Sequence, residues 1–208
     1  MKTKINIEQW ERKALYNFFS QFEEPFFGLT VRVDCTKAYI HAKQEGKSFF
    51  LSYLHKALKA ANSIENFRYS IIDKEVYLHE EVHASPTINR PNGTFGFSYV
   101  DYNADEQLFF QAAKAEIARV QSTTDLLPAK SGQNVIHFSA IPWVDFTGLS
   151  HARSFSFPDS CPKISFGKII DKDGIKTMAV SIHGHHGLMD GSHVGLFVDR
   201  FQAELDKD

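Results

Sequence analysis

Two apolar segments joined by a short polar turn constrain the fold of this chain most strongly. Residues 163–170 and 175–183 are rich in strand-forming side chains, and the turn Asp171, Lys172, Asp173, Gly174 separates them. Glycine reaches the positive φ that tight hairpin turns often require. The pattern therefore predicts an antiparallel hairpin and favours an antiparallel arrangement over a doubly wound, parallel one.

Helix and strand patterns are mixed along the rest of the chain. Helical spacing of apolar residues occurs in 7–22, 48–61, 105–121 and, near the end, at Val194, Phe197, Val198, Phe201 and Leu205. Strand patterns occur in 29–33, 70–79, 95–99 and 135–141. This order predicts an α+β fold, a two-layer sandwich in which helices cover one face of a mostly antiparallel mixed sheet. The length fits a single domain over 1–208.

The charge distribution disfavours several classes of partner. The chain has 23 basic and 25 acidic residues, which are interspersed and give a formal net charge of −2. Without a basic stripe, nucleic acid is not an expected partner. Residues 1–12 lack the apolar region of a signal peptide, and no stretch approaches the roughly 20 apolar residues that span a bilayer. We therefore expect a cytoplasmic protein that contacts no membrane, with Cys35 and Cys161 reduced.

Four of the ten histidines lie close together where a strand pattern gives way to a helix pattern. They are His183, His185, His186 and His193, with Asp190 among them. Three interpretations are open: ordinary polar residues at a strand end, a metal site, or a general base. His183 and His185 would face one side of a strand, which suits metal ligation. The metallo-hydrolase spacing His-x-His-x-Asp-His is not matched, however, because Asp190 comes too late.

The segment around His186 resembles the signature His-His-x-x-x-Asp-Gly of the chloramphenicol acetyltransferase family. In this sequence it comprises His185, His186, Gly187, Leu188, Met189, Asp190 and Gly191. Other landmarks of that family occur in the same order along almost the whole chain. They are Trp10 to Arg12 followed by Phe18 and Phe19, then Thr94 and Phe95, Leu127 and Pro128, and Ser139 to Phe146. The resemblance implies an acetyl-CoA-dependent acyltransferase with a CoA-dependent acyltransferase-like fold.

The resemblance implies a catalytic role for four residues. His186 would be the general base that deprotonates an acceptor hydroxyl as it attacks the thioester of acetyl-CoA. Ser139 would donate a hydrogen bond to the tetrahedral oxyanion, and loss of one such donor typically costs about 2.7–4 kcal/mol. Asp190 would pair with Arg12 and hold the loop that carries His186, without acting as a charge relay.

The resemblance also implies that acetyl-CoA is a co-substrate, with no permanently bound cofactor and no metal. Ser165 stands where a family threonine contacts the intermediate through water. Trp143, Lys168 and Lys47 are candidates for the CoA channel, since a lysine can bind phosphate as a point charge. Each lysine could instead be a solvated surface residue. The family forms its site between subunits of a homotrimer, so we expect a second copy of this chain as partner.

The expected acceptor pocket departs from the family pattern. Its positions are Phe18, Phe19, Phe95, Phe97, Leu127, Leu149, His151 and Lys163. Phe97 stands where the family has a small residue, and His151 and Lys163 stand where apolar side chains line the pocket. An added cation disfavours a neutral, apolar ring. The hypothesis is an enzyme that acetylates a small hydroxyl compound, chloramphenicol or another acceptor, and that accepts chloramphenicol poorly or not at all.

Two other classes of function remain as alternatives. A non-catalytic protein on the same scaffold could bind small molecules, although a binder needs no general base. A metal-dependent hydrolase could use His183, His185 and His186 as ligands. A stoichiometric zinc content in purified protein would favour that hydrolase over the acyltransferase.

Overall fold

The computed structural model describes residues 1–128, 130–154 and 159–207. Within these ranges the strands are β1 (Lys2–Lys4), β2 (Phe26–Asp34), β3 (Tyr69–Ile72), β4 (Glu75–His79), β5 (His83–Asn89), β6 (Phe95–Phe97), β7 (Val135–Ala140), β8 (Lys163–Lys172) and β9 (Ile175–His185). The α-helices are α1 (Lys13–Phe19), α2 (Thr36–Gln44), α3 (Phe49–Asn62), α4 (Glu106–Ser122) and α5 (Gly191–Leu205).

Six strands form one mixed sheet, in the order β2-β9-β8-β7-β5-β6. Strand β7 pairs in parallel with β5 and with β8, whereas the other neighbours are antiparallel. Strands β1, β4 and β3 form a separate antiparallel sheet. The predicted α+β fold with a mixed, mostly antiparallel sheet is therefore confirmed.

The predicted hairpin of residues 163–183 is confirmed as β8 and β9. Asp173 (φ 53°) and Gly174 (φ 85°) make the turn in the left-handed region, where glycine is least strained. Strand β9 runs to His185, two residues further than the sequence pattern predicts, because β2 pairs with it as far as Phe26. This extension carries the chain directly to His186.

The hydrophobic core lies between the large sheet and the helices. Phe138 of β7 and Phe166 of β8 are almost completely buried, and their rings stack at 6.1 Å. Phe166 also packs against Phe201 of α5, with 6.0 Å between ring centroids. Because side chains alternate along a strand, the neighbours of these core residues face the other side of the sheet.

That other side of the sheet is polar. Two rows of side chains cross β7, β8 and β9: Ser139, Ser165 and Ser181, and beside them His137, Lys163 and His183. Ser165 and Ser181 have no exposed surface. Part of the connection between β7 and β8 covers this face, since the ring of His151 meets that of His183 edge to face at 4.8 Å. The polar residues are therefore partly enclosed.

The helix predicted over 7–22 is wrong in extent. The structure has a 3₁₀ turn at Ile7–Gln9 and then α1, with Trp10 in an extended conformation between them. The Trp10 ring packs against Tyr16 and Tyr69, at 6.0 and 5.1 Å between centroids. This tertiary packing overrides the local helical pattern.

Helix α2 has no clear signal in the sequence. Its buried residues are Ala38 and Ala42, whereas Ile40 is 44% exposed, so no apolar stripe marks the helix. Nor does any described helix combine the length and the apolar character needed to cross a membrane.

Both cysteines are buried and free, as predicted. Burial raises the pKa of the Cys35 thiol and of the Cys161 thiol to about 12. Neither side chain is therefore a thiolate at neutral pH, and neither is suited to act as a nucleophile.

Candidate active site

His186 is the first residue after β9, at the bend between the sheet and α5. Its backbone N–H donates to the carbonyl of Pro25 at 2.8 Å. Pro25 directly precedes β2, so this bond continues the pairing of β9 with β2 by one step. The N–H groups of Leu188 and Met189 then turn back to the carbonyl of His185, at 2.9 and 3.1 Å. The backbone around His186 is therefore fixed on both sides.

Aromatic rings fix the imidazole of His186. The ring of Phe19 lies flat against it, with 3.9 Å between centroids and an interplanar angle of 4°. Phe27 of β2 packs at 4.5 Å. Nδ1 of His186 is buried and has no hydrogen-bond partner among the described residues. Phe19 was predicted from the sequence, whereas Phe27 was not.

Arg12 binds the loop that carries His186 at three points. Its Nη1 forms an ion pair with Asp190 Oδ2 at 3.0 Å. Its Nη2 donates to the carbonyl of His186 at 3.3 Å, and its Nε to the carbonyl of Gly187 at 3.4 Å. The Arg12 side chain is only 12% exposed. The predicted ion pair is therefore present, and it restrains the backbone of His186 itself.

Asp190 also caps helix α5. Its Oδ1 accepts hydrogen bonds from the backbone N–H and the hydroxyl of Ser192, at 3.0 and 2.6 Å. Partial burial would raise the pKa of Asp190, but the hydrogen bonds from Ser192 and Arg12 hold it well below its usual range. Asp190 is therefore ionised at neutral pH and joins α5 to the loop.

The other predicted catalytic residue, Ser139, lies elsewhere on the sheet. Ser139 pairs with Ser165, which pairs with Ser181, and His186 follows Ser181 by five residues. With strands about 4.8 Å apart and about 3.3 Å per residue, the Cα atoms of Ser139 and His186 are roughly 19 Å apart. Within one chain the two side chains do not meet.

Ser165 lies beside Ser139 and is completely buried. Its hydroxyl oxygen has no hydrogen-bond partner among the described residues. An unpaired buried hydroxyl costs free energy, so its presence here favours a functional role over a purely structural one.

Two candidate CoA contacts lie beyond these serines, Trp143 in the turn after β7 and Lys168 on β8. Trp143 is 66% exposed, and the backbone N–H of the exposed Lys168 donates to the neighbouring Val144 carbonyl at 2.9 Å. Lys47, in contrast, lies between α2 and α3 and forms ion pairs with Glu45 and Glu106 at 2.8 and 2.7 Å. A CoA phosphate would have to compete with both carboxylates for Lys47.

The predicted acceptor residues fall into two groups. Phe18 packs with Phe19 near His186 and is 58% exposed. Phe97 and Leu127 instead line a cavity of about 500 Å³ at the β5–β7 side of the sheet, and Phe95 contacts the Phe97 ring at 5.6 Å. The first group is therefore on the His186 side, and the second on the Ser139 side.

The remaining acceptor candidates lie on the polar face of the sheet. The ring of His151 meets that of His183 edge to face at 4.8 Å; burial lowers the pKa of His183, and the nearby Leu149 backbone opposes that shift. Lys163 is buried, where it forms an ion pair with Asp159 and donates to the Cys161 carbonyl at 3.1 Å. The Lys163 cation is therefore neutralised locally and does not stand alone among apolar groups.

The cavity has polar lining residues that the sequence reasoning missed. They include His137, Arg153 and Asp159. His137 could have been found, because it lies two residues before Ser139 and so faces the same side of β7. Arg153 and Asp159 come from the irregular connection between β7 and β8, for which no periodic signal exists.

His137, His151, His183 and His185 have lowered pKa values and are neutral at physiological pH. Burial, with a smaller contribution from Lys163 at His151 and from Arg153 at His185, lowers the pKa of both side chains to about 4. Burial and the nearby Lys163 also lower the pKa of His137. The region is therefore a set of neutral imidazoles around ion pairs.

The geometry does not support a hydrolase metal site made of His183, His185 and His186. His185 Nδ1 accepts a hydrogen bond from the Gly187 N–H at 3.1 Å, and His186 faces Phe19. Among the described residues, the group whose ligand atoms converge is a different one, His137, Asp159 and Cys161.

The fold and the site define a class of protein first. A truncated catalytic core of a 2-oxoacid dehydrogenase multienzyme complex from Thermoplasma acidophilum superimposes with a TM-score of 0.67, covering 94% of this chain and 95% of that one. At 15% identity this likeness shows the fold alone. The architecture is that of the CoA-dependent acyltransferases.

More similar relatives then show the family. The family model for chloramphenicol acetyltransferase matches residues 1–202. A solved chloramphenicol acetyltransferase superimposes with a TM-score of 0.91 at 33% identity, covering 99% of this chain and 100% of that one. Chloramphenicol acetyltransferases from Staphylococcus aureus and Proteus mirabilis are 26% and 27% identical over 98% of this chain, and over 95% and 94% of their own lengths. This chain therefore belongs to the chloramphenicol acetyltransferase family, a family of acyltransferases with acetyl-CoA as co-substrate.

Proposed function

We propose that this protein transfers an acetyl group from acetyl-CoA to a hydroxyl group of a small acceptor, with His186 as general base. The observation that carries the proposal is the restraint on His186. Its ring is stacked flat on Phe19, and Arg12 binds its carbonyl and the carboxylate of Asp190. A proton acceptor must be held in a fixed orientation to act on a bound hydroxyl, whereas a simple binding protein has no such requirement.

The proposed chemistry is a direct acyl transfer. His186 takes the proton of the acceptor hydroxyl while the hydroxyl oxygen attacks the carbonyl carbon of the thioester. The tetrahedral intermediate then loses the carbon–sulfur bond, and the proton passes from His186 to the sulfur of CoA. Because Nδ1 of His186 is enclosed, Nε2 is the nitrogen assigned to the proton transfer.

The oxyanion of the intermediate is assigned to Ser139. Its hydroxyl lies on the polar face of the sheet and is only partly buried. Removal of a single oxyanion donor typically lowers the rate about 10²–10³-fold. Ser165, whose buried hydroxyl has no partner among the described residues, is assigned to the same site through a bound water.

The distance between His186 and Ser139 supports a site shared by two subunits. The roughly 19 Å between their Cα atoms is too long for both side chains to contact one reacting carbon. A neighbouring copy in a homotrimer would bring its own Ser139, with Phe97 and Leu127, to the His186, Phe18 and Phe19 of this chain. The division of the acceptor residues into two groups has the same explanation.

The approach of CoA is assigned to the strand end beyond Ser165. Exposed Trp143 offers an apolar surface there, and Lys168 offers a cation for a phosphate group. Lys47 is the weakest assignment of the three, because Glu45 and Glu106 already bind its ammonium group.

The test is acceptor-dependent release of CoA from acetyl-CoA, compared between wild type and His186→Ala. The partly exposed His41 of α2 provides the matched control, His41→Ala, since it lies outside the proposed site. We expect a loss of at least about 10³-fold in kcat for His186→Ala, within the range that base removal causes, and no change for the control. Both variants should bind acetyl-CoA as the wild type does.

Equal activity of His186→Ala and wild type would refute the assignment of the base. A monomer that remains fully active at high dilution would refute the shared site. Complementation gives a second measure: mixing inactive His186→Ala with inactive Ser139→Ala subunits should restore part of the activity, because some interfaces then combine an intact His186 with an intact Ser139.

A further inference from the structure

Charged side chains contribute to the wall of the cavity beside Ser139. Arg153 and Asp159 both contribute to its wall, and Lys163 lies directly behind Asp159. The side chains of Arg153 and Lys163 are each only 10% exposed, and that of Asp159 is 22% exposed. These charges are therefore part of the protein interior and not of a solvated rim.

Three ion pairs hold these charges in place, including a longer one between Arg153 Nε and Asp159 Oδ2 at 3.9 Å. Lys163 binds Asp159, whose other carboxylate oxygen accepts the Cys161 N–H at 2.9 Å. Arg153 binds Glu24, and its guanidinium lies 3.6 Å above the ring of Phe26. Although burial would raise the pKa of Asp159, Lys163 holds it below its usual value. The carboxylate therefore remains an ionised acceptor facing the cavity.

Several polar atoms in and behind this wall have no hydrogen-bond partner among the described residues. Nε of Arg153 and Nε2 of His151 are buried without a hydrogen bond. His137 lines the same cavity as a neutral imidazole, which has one donor and one acceptor nitrogen. A ligand that forms hydrogen bonds with such buried polar groups binds more favourably. An apolar ligand leaves these groups without partners and binds less favourably.

Two aromatic rings also contribute to the wall. Phe97 and Tyr99 lie on one side of the cavity, and Leu127 lies at its exposed edge. The volume of about 500 Å³ is within the range of small-molecule sites. Flat rings combined with planar hydrogen-bonding groups suit a compact molecule that has C–H surfaces and several hydroxyl groups.

From this lining we infer that the natural acceptor is a small polyhydroxylated compound of sugar or cyclitol type, selected by His137, Arg153 and Asp159. The inference rests on the proposed acetyl transfer, since it concerns the acceptor of that same site. Each hydroxyl group can donate to Asp159 or accept from Arg153, whereas an apolar substituent can do neither. One further hydroxyl then faces the position assigned to acetyl transfer.

The test compares acceptors in one assay of CoA release. The panel is glucose, galactose, myo-inositol and sorbitol, with chloramphenicol as the aromatic reference, and kcat and KM are measured separately for each. We expect the best polyhydroxylated acceptor to exceed chloramphenicol at least tenfold in kcat/KM. A chloramphenicol kcat/KM equal to or above that of every polyhydroxylated compound would overturn the inference.

The variant His137→Phe separates specificity from structure. It keeps a flat ring of similar size but removes the hydrogen bonds, so KM for the polyhydroxylated acceptor should rise about tenfold while kcat changes little. The chloramphenicol KM should fall in the same variant. Equal effects on both acceptors would overturn the assignment of His137. The matched control is His41→Phe on the surface of α2, which should change neither KM.

A double variant removes two of these charges together, so that neither is left without its partner. Replacing Lys163→Met together with Asp159→Asn removes the ion pair as a unit, and should weaken the polyhydroxylated acceptor while the fold is retained. Retention of the fold is checked by the urea unfolding midpoint. Unchanged acceptor preference in a folded double variant would contradict the inference.

Direct binding distinguishes failure of the inference from failure of the proposed function. Calorimetric titration of the panel compounds into the protein without acetyl-CoA requires no catalysis. Binding that is lost in His137→Phe supports the inference, even if His186→Ala shows that the assigned base is wrong. Tighter binding of chloramphenicol than of every polyhydroxylated compound overturns it, whatever the catalytic result.

Discussion

Replacement of Arg12 by methionine tests whether the loop of His186 is held as the structure indicates. Methionine keeps much of the length and apolar stem of arginine but removes all three hydrogen bonds. Loss of one partner of a buried ion pair commonly costs about 3–5 kcal/mol. The lower end applies here, about 3 kcal/mol, because Asp190 is 31% exposed and keeps its two hydrogen bonds from Ser192.

This free energy translates into a measurable shift in urea. For a slope of about 2–3 kcal/mol/M, a loss of about 3 kcal/mol lowers the unfolding midpoint by roughly 1–1.5 M. Protein concentration must be equal in all samples, because the stability of an oligomer depends on it. The kcat should fall as well, since a displacement of His186 by about 1 Å can cost about 10²-fold in rate. The KM for acetyl-CoA should stay close to the wild-type value.

The matched control is Arg32→Met, which breaks the exposed ion pair with Asp145. Both side chains of that pair are more than one third exposed, so the expected loss is about 0–1 kcal/mol. A double-mutant cycle with Asp190→Asn should show a coupling of at least about 1 kcal/mol between Arg12 and Asp190. The reasoning is refuted if Arg12→Met is as mild as Arg32→Met, or if the cycle is additive.

The Arg12 contribution should also depend on pH in a defined direction. The pKa of Asp190 is lowered in the folded protein by Ser192 and Arg12, against the effect of burial. Its stabilisation is therefore complete above the ordinary aspartate pKa of about 3.8 and is lost as pH falls below that value. The difference between wild type and Arg12→Met should accordingly shrink between pH 4 and pH 2, as measured by urea unfolding.

Three further predictions concern single side chains. Ser165→Ala should be neutral or stabilising by up to about 1 kcal/mol in urea, because its buried hydroxyl has no described partner, yet it should lower kcat; unchanged kcat would count against its role. His151→Phe should reduce the loss of stability at acid pH. Burial lowers the pKa of His151 to about 4, so below about pH 6.5 the unfolded chain binds a proton that the folded chain does not. Relative to wild type, the free energy of unfolding of the variant should therefore be about 1–2 kcal/mol higher at pH 5 than at pH 7.5. Phe19→Leu should lower kcat about tenfold through a looser His186 ring, with little change in the melting temperature; an unchanged kcat would show that stacking does not orient the base.

Helices with strong local signals could be predicted almost to the residue. The predicted helix at 48–61 is α3, which begins after Ser48, whose hydroxyl accepts the Leu51 N–H. The predicted helix at 105–121 is α4, capped by the Asp105 carboxylate. Capping and apolar spacing act over three or four residues, so a single sequence contains them.

Predictions failed where distant packing decides the conformation. Trp10 has a helical place in the sequence pattern but is extended, because Tyr69 of β3 gives its ring a better contact. Helix α2 buries only alanines and so has no apolar stripe to be recognised. In both cases the deciding neighbour lies outside the local segment.

The two halves of the candidate site differ in the same way. The sequence by itself indicated a change from a strand pattern to a helix pattern near His186, because such patterns act over a few neighbouring positions. The resemblance to the chloramphenicol acetyltransferase family supplied the residue roles for acyl transfer. Only the tertiary structure decided that Arg12 reaches the His186 carbonyl, that Ser139 lies far from His186 in one chain, and that His137, Arg153 and Asp159 share a cavity wall. Strand pairing and burial bring together groups that are distant along the chain, and no local pattern encodes which groups will meet.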